Sequence, residues 1–98
     1  MPRTGNLSLV WSATARADLI RLYAFIQPHN PRAAKQSSEK ILKATRLILD
    51  NPAIGTPIEG RQDYELFTPF GQNGYILRYQ IIEKKIVILK IWHSREDR

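Results

Sequence analysis

The sequence predicts an α+β domain in which a helical hairpin packs on an antiparallel sheet, with the elements in the order β-α-α-β-β-β. Two observations predict this class. Apolar residues recur at helical spacing through residues 12–50, and three runs rich in β-branched and aromatic residues occupy most of residues 64–93. A chain of 98 residues suits one folding unit, so residues 1–98 are expected to form a single domain.

The first half of the chain is predicted to form a short strand and two helices. Apolar residues alternate in residues 7–11, which is typical of a strand. Ser12 suits the start of the first helix because its hydroxyl can accept a hydrogen bond from the free amides of the first turn. Asn30 and Pro31 suit the start of the second helix, and Pro52 ends it because the residue before a proline avoids the helical conformation.

The first helix is apolar on two sides. The side expected to pack into the core carries Ala15, Leu19, Leu22, Tyr23 and Ile26. The opposite side carries mostly small residues, namely Ala13, Ala17, Ile20 and Ala24. A helix with two apolar sides is either covered on both or offers one of them to a partner.

Three strands are predicted in the second half of the chain, over residues 64–70, 75–82 and 86–93. The last two are joined by a short polar turn and are expected to form a hairpin. Pro69 confines the first of the three to an edge of the sheet or ends it early, because proline has no N–H to donate. Residues 51–63 are dense in proline and glycine and are expected to form a loop.

Strand alternation predicts an open face of the sheet that combines basic and apolar groups. Arg78 and Gln80 are costly to bury, so their side of the hairpin is expected to face solvent. In the last strand, the residues expected in the core are Val87, Leu89 and Ile91. The open face would then carry Ile76, Arg78, Ile88, Lys90 and Trp92. Such a face suits a partner peptide or a nucleic acid; alternatively the sheet curls and these side chains cover one another.

Charge and composition narrow the class of partner and exclude several kinds of chemistry. The net charge is +6 and the isoelectric point is about 10.0, which favours an acidic partner. The chain has no cysteine, and His29 and His93 lie far apart, so we expect no disulfide, no thiol chemistry, no metal and no cofactor. No apolar run is long enough to span a membrane and residues 1–6 do not suit a signal peptide, so a cytoplasmic protein is expected.

Candidates for catalysis are few. His93 suits a general acid or base because histidine titrates near neutral pH. Arg61, Arg78 and Arg95 could supply positive charge to a transition state. A single histidine at the end of a strand is more often structural, and no pair of carboxylates suggests itself. The residues alone therefore favour a binding module, with a nuclease as the alternative.

Several motifs follow one another along the chain. They are Ala15-x-x-Asp18-Leu19-x-x-Leu22-x-x-Phe25-Ile26, Asn30-Pro31-x-Ala33-Ala34, Leu49-x-x-Pro52-x-x-Gly55, Gly74-Tyr75-Ile76-Leu77-Arg78-Tyr79 and Ile88-Leu89-Lys90-Ile91-Trp92-His93-Ser94-Arg95. In this order and spacing they resemble the ParE/RelE toxins of bacterial type II toxin–antitoxin systems. The resemblance extends over residues 7–95 and implies the fold predicted above.

The resemblance implies one of two activities. The ParE-like branch poisons DNA gyrase and blocks replication, whereas the RelE-like branch consists of ribosome-dependent endoribonucleases that cleave messenger RNA. In the nuclease branch an arginine follows the Gly-Tyr of the third strand, where this chain has Ile76, and another precedes the leucine of the strand before it, where this chain has Tyr64. The resemblance therefore favours a gyrase poison. The alternatives are a ribonuclease, with Arg78, His93 and Arg95 as its candidate catalytic residues, and a basic nucleic-acid-binding module without toxicity.

The resemblance also implies an acidic, ParD-like antitoxin that forms a hetero-oligomer with this chain. We expect an antitoxin helix against Ala13, Ala17, Ile20 and Ala24, and an extended segment that reaches Arg78 and Lys90. The residues expected to bind the target are Arg78, Lys90, Trp92, His93 and Arg95. Direct contact with nucleic acid stays open, and no membrane partner is expected.

Overall fold

A computed structural model describes residues 7–97, which form two helices and a five-stranded sheet. The elements are β1 (Ser8–Trp11), α1 (Ala13–Ile26), α2 (Pro31–Asp50), a short 3-10 turn (Pro52–Ile54), β2 (Thr56–Pro57), β3 (Asp63–Phe70), β4 (Asn73–Ile82) and β5 (Lys85–His93). The prediction about a signal peptide in residues 1–6 lies outside the described residues. Neither helix of the described part is long and apolar enough to cross a membrane.

The five strands form one mixed sheet in the order β1-β5-β4-β3-β2. The α+β class and the order of the predicted elements are confirmed, with β2 added inside the segment predicted to be a loop. The sheet is not wholly antiparallel, because β1 lies parallel to β5, with Ser8 opposite Lys85 and Trp11 opposite Ile88. These two strands can pair in parallel because the helical hairpin and three strands lie between them in sequence, which gives a connection long enough for a crossover.

Both helices begin at side chains that satisfy their first free amides. The Ser12 hydroxyl accepts from the N–H of Ala15 at 3.0 Å and donates to the carbonyl oxygen of Leu89 at 3.0 Å. The Asn30 side chain accepts from the N–H of Ala33 at 3.1 Å. These contacts confirm the predicted starts of α1 and α2, and Ser12 also fastens α1 to β5.

The core lies between the helical hairpin and one face of the sheet. Its largest buried side chains come from both layers: Leu22, Ile41 and Ile48 from the helices, and Tyr75, Leu77, Tyr79, Ile86, Ile88 and Ile91 from β4 and β5. The predicted core side of α1 is confirmed at Ala15 and Leu22, which are both buried. Tyr23 was expected in the core and instead keeps 39% of its surface exposed. It lies at the border of the apolar stripe, where a large ring reaches solvent.

A β-bulge in β5 overturns part of the predicted alternation. The pairing of β4 with β5 shifts between Arg78 and Tyr79 and leaves Leu89 without an opposite residue. Ile88 is completely buried, whereas Val87 and Leu89 are half-buried. The prediction that Ile88 lies on the open face, with Val87 and Leu89 in the core, was wrong. One extra residue reverses which side chains of a strand face the core.

Pro69 lies at a position of β3 where the N–H that proline lacks would have no partner among the described strands. β2 pairs only with Tyr64 and Glu65, so β3 has no outer neighbour at Pro69 within the described sheet. Gly74, which stands opposite Pro69, directs its N–H to the Ser94 hydroxyl at 3.1 Å and accepts from the Ser94 N–H at 2.8 Å. The predicted edge position of Pro69 is therefore confirmed, although β3 as a whole is not the edge strand.

Tyr79 fastens the segment after α2 to the core. Its hydroxyl donates to the carbonyl oxygen of Pro52 at 2.7 Å and accepts from the N–H of Gly55 at 2.9 Å. A Cβ atom on Gly55 would lie 2.6 Å from this hydroxyl oxygen, so the close approach requires glycine. Burial raises the pKa of Tyr79.

Candidate functional site

Three of the predicted target-binding residues come together on the sheet face opposite the helices. The Arg78 guanidinium carbon lies 4.9 Å from the centre of the Trp92 ring, and the Lys90 Nζ lies 5.6 Å from it. We call Arg78, Lys90 and Trp92 the basic face. Only 8% of Trp92 is exposed, so its predicted role as open aromatic area was wrong. The two cations lie over the ring and cover it. This is the alternative given above, in which the side chains of this face cover one another.

Carboxylates compensate both cations of the basic face. Arg78 donates from Nε and Nη2 to the same oxygen of Glu65, at 3.0 and 2.7 Å. The Lys90 Nζ lies 3.7 Å from Asp18 Oδ1. All four side chains are more than half covered, although water still reaches both cations. The basic face therefore presents little uncompensated charge.

Asp18 is a site residue that the sequence reading missed. Its Oδ2 accepts from the N–H of Ile91 at 2.9 Å, at a point of β5 beyond the end of β1. Its other oxygen lies 3.4 Å from Arg21 Nη2. Asp18 thus accepts a hydrogen bond from β5 that a carbonyl of a neighbouring strand would otherwise accept. Its ion pair with Lys90 positions that side chain. The available indication was an acidic residue three positions after Ala15, inside the apolar stripe of α1.

The other two predicted target-binding residues, His93 and Arg95, lie elsewhere. His93 stands opposite Tyr75 and packs edge-on against its ring, with 5.5 Å between the ring centres. Tyr75 belongs to the core, so His93 lies on the helix side of the sheet and Arg78 on the other. His93 Nδ1 accepts from the N–H of Arg95 at 3.1 Å. The predicted set is therefore divided between two surfaces.

His93 and Arg95 line a cavity of about 730 Å³ at the end of α1, which we call the end pocket. Its apolar wall consists of Leu22, Ala24, Phe25, Ile26 and Tyr75. Its polar rim consists of Arg21, His93, Arg95 and Glu96. Phe25 is 78% exposed at this site, which makes it the most exposed large apolar side chain of the described residues.

Glu96 ties the segment after β5 to α1. It accepts from the N–H of His93 at 2.8 Å and from Arg21 Nη1 at 2.5 Å. Burial alone would raise the pKa of Glu96, but the hydrogen bonds from His93 and Arg21 outweigh it and the pKa is lowered. The same contact with Glu96 raises the pKa of Arg21. Arg21 and Glu96 therefore neutralise each other within the rim.

Arg61, the remaining candidate for charge stabilisation, belongs to a separate polar cluster. Its Nε donates to Asp63 Oδ2 at 2.6 Å, and the Gln80 amide donates to Asp63 Oδ1 at 2.6 Å. Burial would raise the pKa of Asp63, but these hydrogen bonds lower it. Arg61 is thus bound to a buried carboxylate. No group of three histidine, cysteine or acidic side chains in residues 7–97 is arranged to hold a metal ion.

The side of α1 expected to meet the antitoxin is uncovered. Ala13, Ala17, Ile20 and Ala24 are all exposed, and Ile20 keeps 66% of its surface accessible. We call these four residues the outer side of α1. Its exposure fits a partner surface, while the antitoxin contact itself stays a prediction.

Two helices on one face of a mixed sheet with a parallel β1–β5 pair define a small α+β fold found in toxin–antitoxin complexes. The chain superposes on a structure of the chromosomal ParDE TA system from P. aeruginosa with a TM-score of 0.77, over 92% of this chain and 98% of that chain, at 22% identity. It superposes on the intact E. coli RelBE toxin–antitoxin complex with a TM-score of 0.63, over 94% of this chain and 99% of that chain, at 18% identity. These similarities show the fold.

Sequence comparison shows the family. The model of the ParE toxin of type II toxin–antitoxin system, parDE, matches residues 9–98, and the chain belongs to this family within the ParE/RelE superfamily. Toxin RelE1 of Caulobacter vibrioides is 30% identical over 93 residues, which cover 95% of this chain and 99% of the relative. Toxin RelE3 of the same organism is 31% identical over 84 residues, which cover 86% and 90%. The resemblance read from the motifs is confirmed.

Proposed function

We propose that this toxin poisons DNA gyrase by binding it, without catalysing a reaction, and that an acidic antitoxin neutralises it. The observation that carries the proposal is the ion pair between Arg78 and Glu65 on the basic face. A guanidinium that a carboxylate already holds suits contact with a protein surface better than stabilisation of a phosphate transition state. Because gyrase acts on the chromosome, the proposal also assigns the chain to the cytoplasm.

The separation of the candidate catalytic groups supports the same proposal. Cleavage of a phosphodiester requires a group that moves protons beside unpaired cations that stabilise the additional negative charge. His93 and Arg78 lie on opposite sides of the sheet, and Ile76 and Tyr64 stand where nucleases of the superfamily carry arginines. Each missing cation would remove about 3 kcal/mol of transition-state stabilisation.

A ribonuclease is the second candidate, and two observations favour it. His93 and Arg95 lie together in the end pocket, where a histidine that moves protons would stand beside a guanidinium. The two Caulobacter vibrioides relatives are also named as RelE toxins, at 30% and 31% identity. The pocket lacks a second unpaired cation among the described residues, and the gyrase proposal is therefore preferred.

An acidic antitoxin is the expected partner on three grounds. The net charge of the chain is +6, the outer side of α1 is uncovered, and both superposed structures are of toxin–antitoxin systems. A disordered acidic tail that folds on contact would bury the outer side of α1 and approach the rim of the sheet.

The deciding experiment compares the two targets with the same purified chain. We expect the chain to inhibit supercoiling by gyrase and to increase the amount of cleaved plasmid, while messenger RNA on ribosomes stays intact. The Arg78→Ala variant should lose the effect on gyrase. Lys43→Ala, which removes one exposed cation from α2, is the matched control and should keep it.

Two results would contradict the proposal. Ribosome-dependent cleavage of messenger RNA with unaffected supercoiling would establish the ribonuclease instead. Salt-sensitive binding to bare DNA or RNA, with no effect on either target or on growth, would indicate a nucleic-acid-binding module without toxicity.

A further inference from the structure

The end pocket has the size and lining of a binding site. Its volume of about 730 Å³ falls in the range of about 300–1,000 Å³ that is usual for pockets that hold a ligand or a large side chain. The wall from α1 and β4 is apolar, and the rings of Phe25, Tyr75 and His93 all border the cavity. Phe25 is 78% exposed, so water covers an aromatic surface that an apolar occupant would remove from solvent.

The charges on the rim determine which charge the occupant of the pocket should carry. Arg21 and Glu96 hold each other, and His93 Nδ1 is occupied by the N–H of Arg95. The Arg95 guanidinium makes no ion pair or side-chain hydrogen bond within residues 7–97. The rim therefore has one uncompensated positive charge, which complements a carboxylate.

The position of the end pocket connects it with the outer side of α1. Ala24 belongs both to that exposed side and to the wall of the cavity. The distance from Ala13 to Ala24 along the helix is about 16 Å, or three turns. A peptide that follows the outer side of α1 therefore arrives at the end pocket without changing direction.

We infer that the end pocket anchors the acidic antitoxin, by taking one large apolar side chain whose neighbouring carboxylate pairs with Arg95. The inference rests on the proposed antitoxin partner and adds the chemistry that the pocket selects. The occupied pocket covers His93 and Arg95. These are two of the residues predicted from the sequence to bind the target.

The anchor is tested with a small probe of the same chemistry, 3-phenylpropionate, and with its neutral analogue 3-phenylpropanamide. Both are titrated into the full chain while backbone amide signals are followed by NMR. We expect shifts at Ala24, Phe25 and Arg95, and roughly tenfold tighter binding of the carboxylate. Arg95→Gln should abolish the difference between the probes, whereas Arg16→Gln, an exposed cation near the start of α1, should preserve it.

A blocking variant and the antitoxin complex complete the test. Ala24→Trp replaces an exposed residue, fills the cavity, and should abolish binding of both probes. The complex with the cognate antitoxin should bind neither probe. Absence of shifts at the pocket, equal affinity for the two probes, or free binding of a probe to the complex would each overturn the inference. Gyrase inhibition is measured separately, so an overturned anchor and a failed gyrase proposal give different results.

Discussion

Arg78 of the basic face contacts both an aromatic ring and a carboxylate of the sheet. Its guanidinium lies against the Trp92 ring, and its two donors reach one oxygen of Glu65. A quarter of the Arg78 side chain is exposed, so water screens the pair, which then adds about 1 kcal/mol or less to stability. Removal of Trp92 would differ, because truncating a buried tryptophan costs about 3–5 kcal/mol. Arg78 is therefore the better position at which to separate toxicity from folding.

Arg78→Ala should abolish growth inhibition on induction and lower the free energy of unfolding by only about 1 kcal/mol. Growth curves and urea denaturation measure the two effects. Glu65→Gln is the matched control, since it leaves the cation on the Trp92 ring, and it should remain toxic. Full toxicity of Arg78→Ala would exclude the basic face as the target surface.

His93→Gln separates a binding histidine from a proton-transferring one. Glutamine keeps a polar side chain at the rim of the end pocket but cannot act as a general acid or base. We expect the variant to inhibit growth as strongly as the parent chain, within about twofold, because gyrase poisoning requires no proton transfer. Complete loss of toxicity in a variant that still folds would favour the ribonuclease.

At the scale of single elements, β5 carries the bulge that determines which of its residues reach the core. Ile88 is fully buried, whereas Leu89 is half-buried and has no opposite residue on β4. We expect Ile88→Ala to cost about 2–5 kcal/mol of unfolding free energy and Leu89→Ala less than half of that. Urea denaturation of the two variants measures the difference. A larger loss for Leu89→Ala than for Ile88→Ala would mean that the strand keeps its regular alternation.

The outer side of α1 offers a second test at this scale. Ala17→Glu places a negative charge where the antitoxin helix is expected, and Ile20→Glu removes a large apolar contact as well. Each should weaken the complex with the acidic antitoxin by more than about 1 kcal/mol, as calorimetry would show. Gln36→Glu introduces the same charge on the exposed side of α2 and serves as the control. Unchanged affinity in all three variants would move the interface elsewhere.

Considered as a whole, the molecule was predictable from its sequence wherever the periodicity was regular. Helical spacing and caps predicted α1 and α2, and alternation predicted the β4–β5 hairpin. The bulge was hidden because Ile86, Val87, Ile88 and Leu89 are all apolar, so the sequence shows no alternation from which to detect it. The two-residue β2 is too short to leave a pattern.

The candidate site was less predictable than the fold, because its contacts join residues that are distant in sequence. The pair of Glu65 with Arg78 depends on the register of β3 and β4, and the contact of Asp18 with Ile91 spans 73 positions. His93 and Trp92 are neighbours in sequence that face opposite sides of the sheet. The structure divides the predicted target-binding residues between two surfaces, and their contact with a target stays a prediction.

Two carboxylates with lowered pKa values, one half-buried and one buried, contribute to how the stability of the molecule depends on pH. The pKa values of Glu96 and Asp63 are lowered in the folded chain from ordinary values of 4.5 and 3.8. A lowered folded-state pKa means that the stabilisation is complete above the ordinary value and is lost as the pH falls through the lowered one. We expect unfolding free energy to decline below about pH 4.5. Denaturation at several pH values measures it, and Glu96→Gln with Asp63→Asn should flatten the decline.

The parallel pairing of β1 with β5 delays the assembly of both candidate surfaces as the chain folds. β5 lies between β1 and β4, yet it is synthesised after the other described strands. Ser8 of β1 pairs with Lys85 of β5, which lies 77 positions later in the chain. Such distant pairing forms late, and the helices have no complete sheet to pack on until β5 has left the ribosome. The basic face and the end pocket both include residues of β5. A chain in which β5 has not yet formed therefore carries neither surface, and both arise only when β5 has joined the sheet.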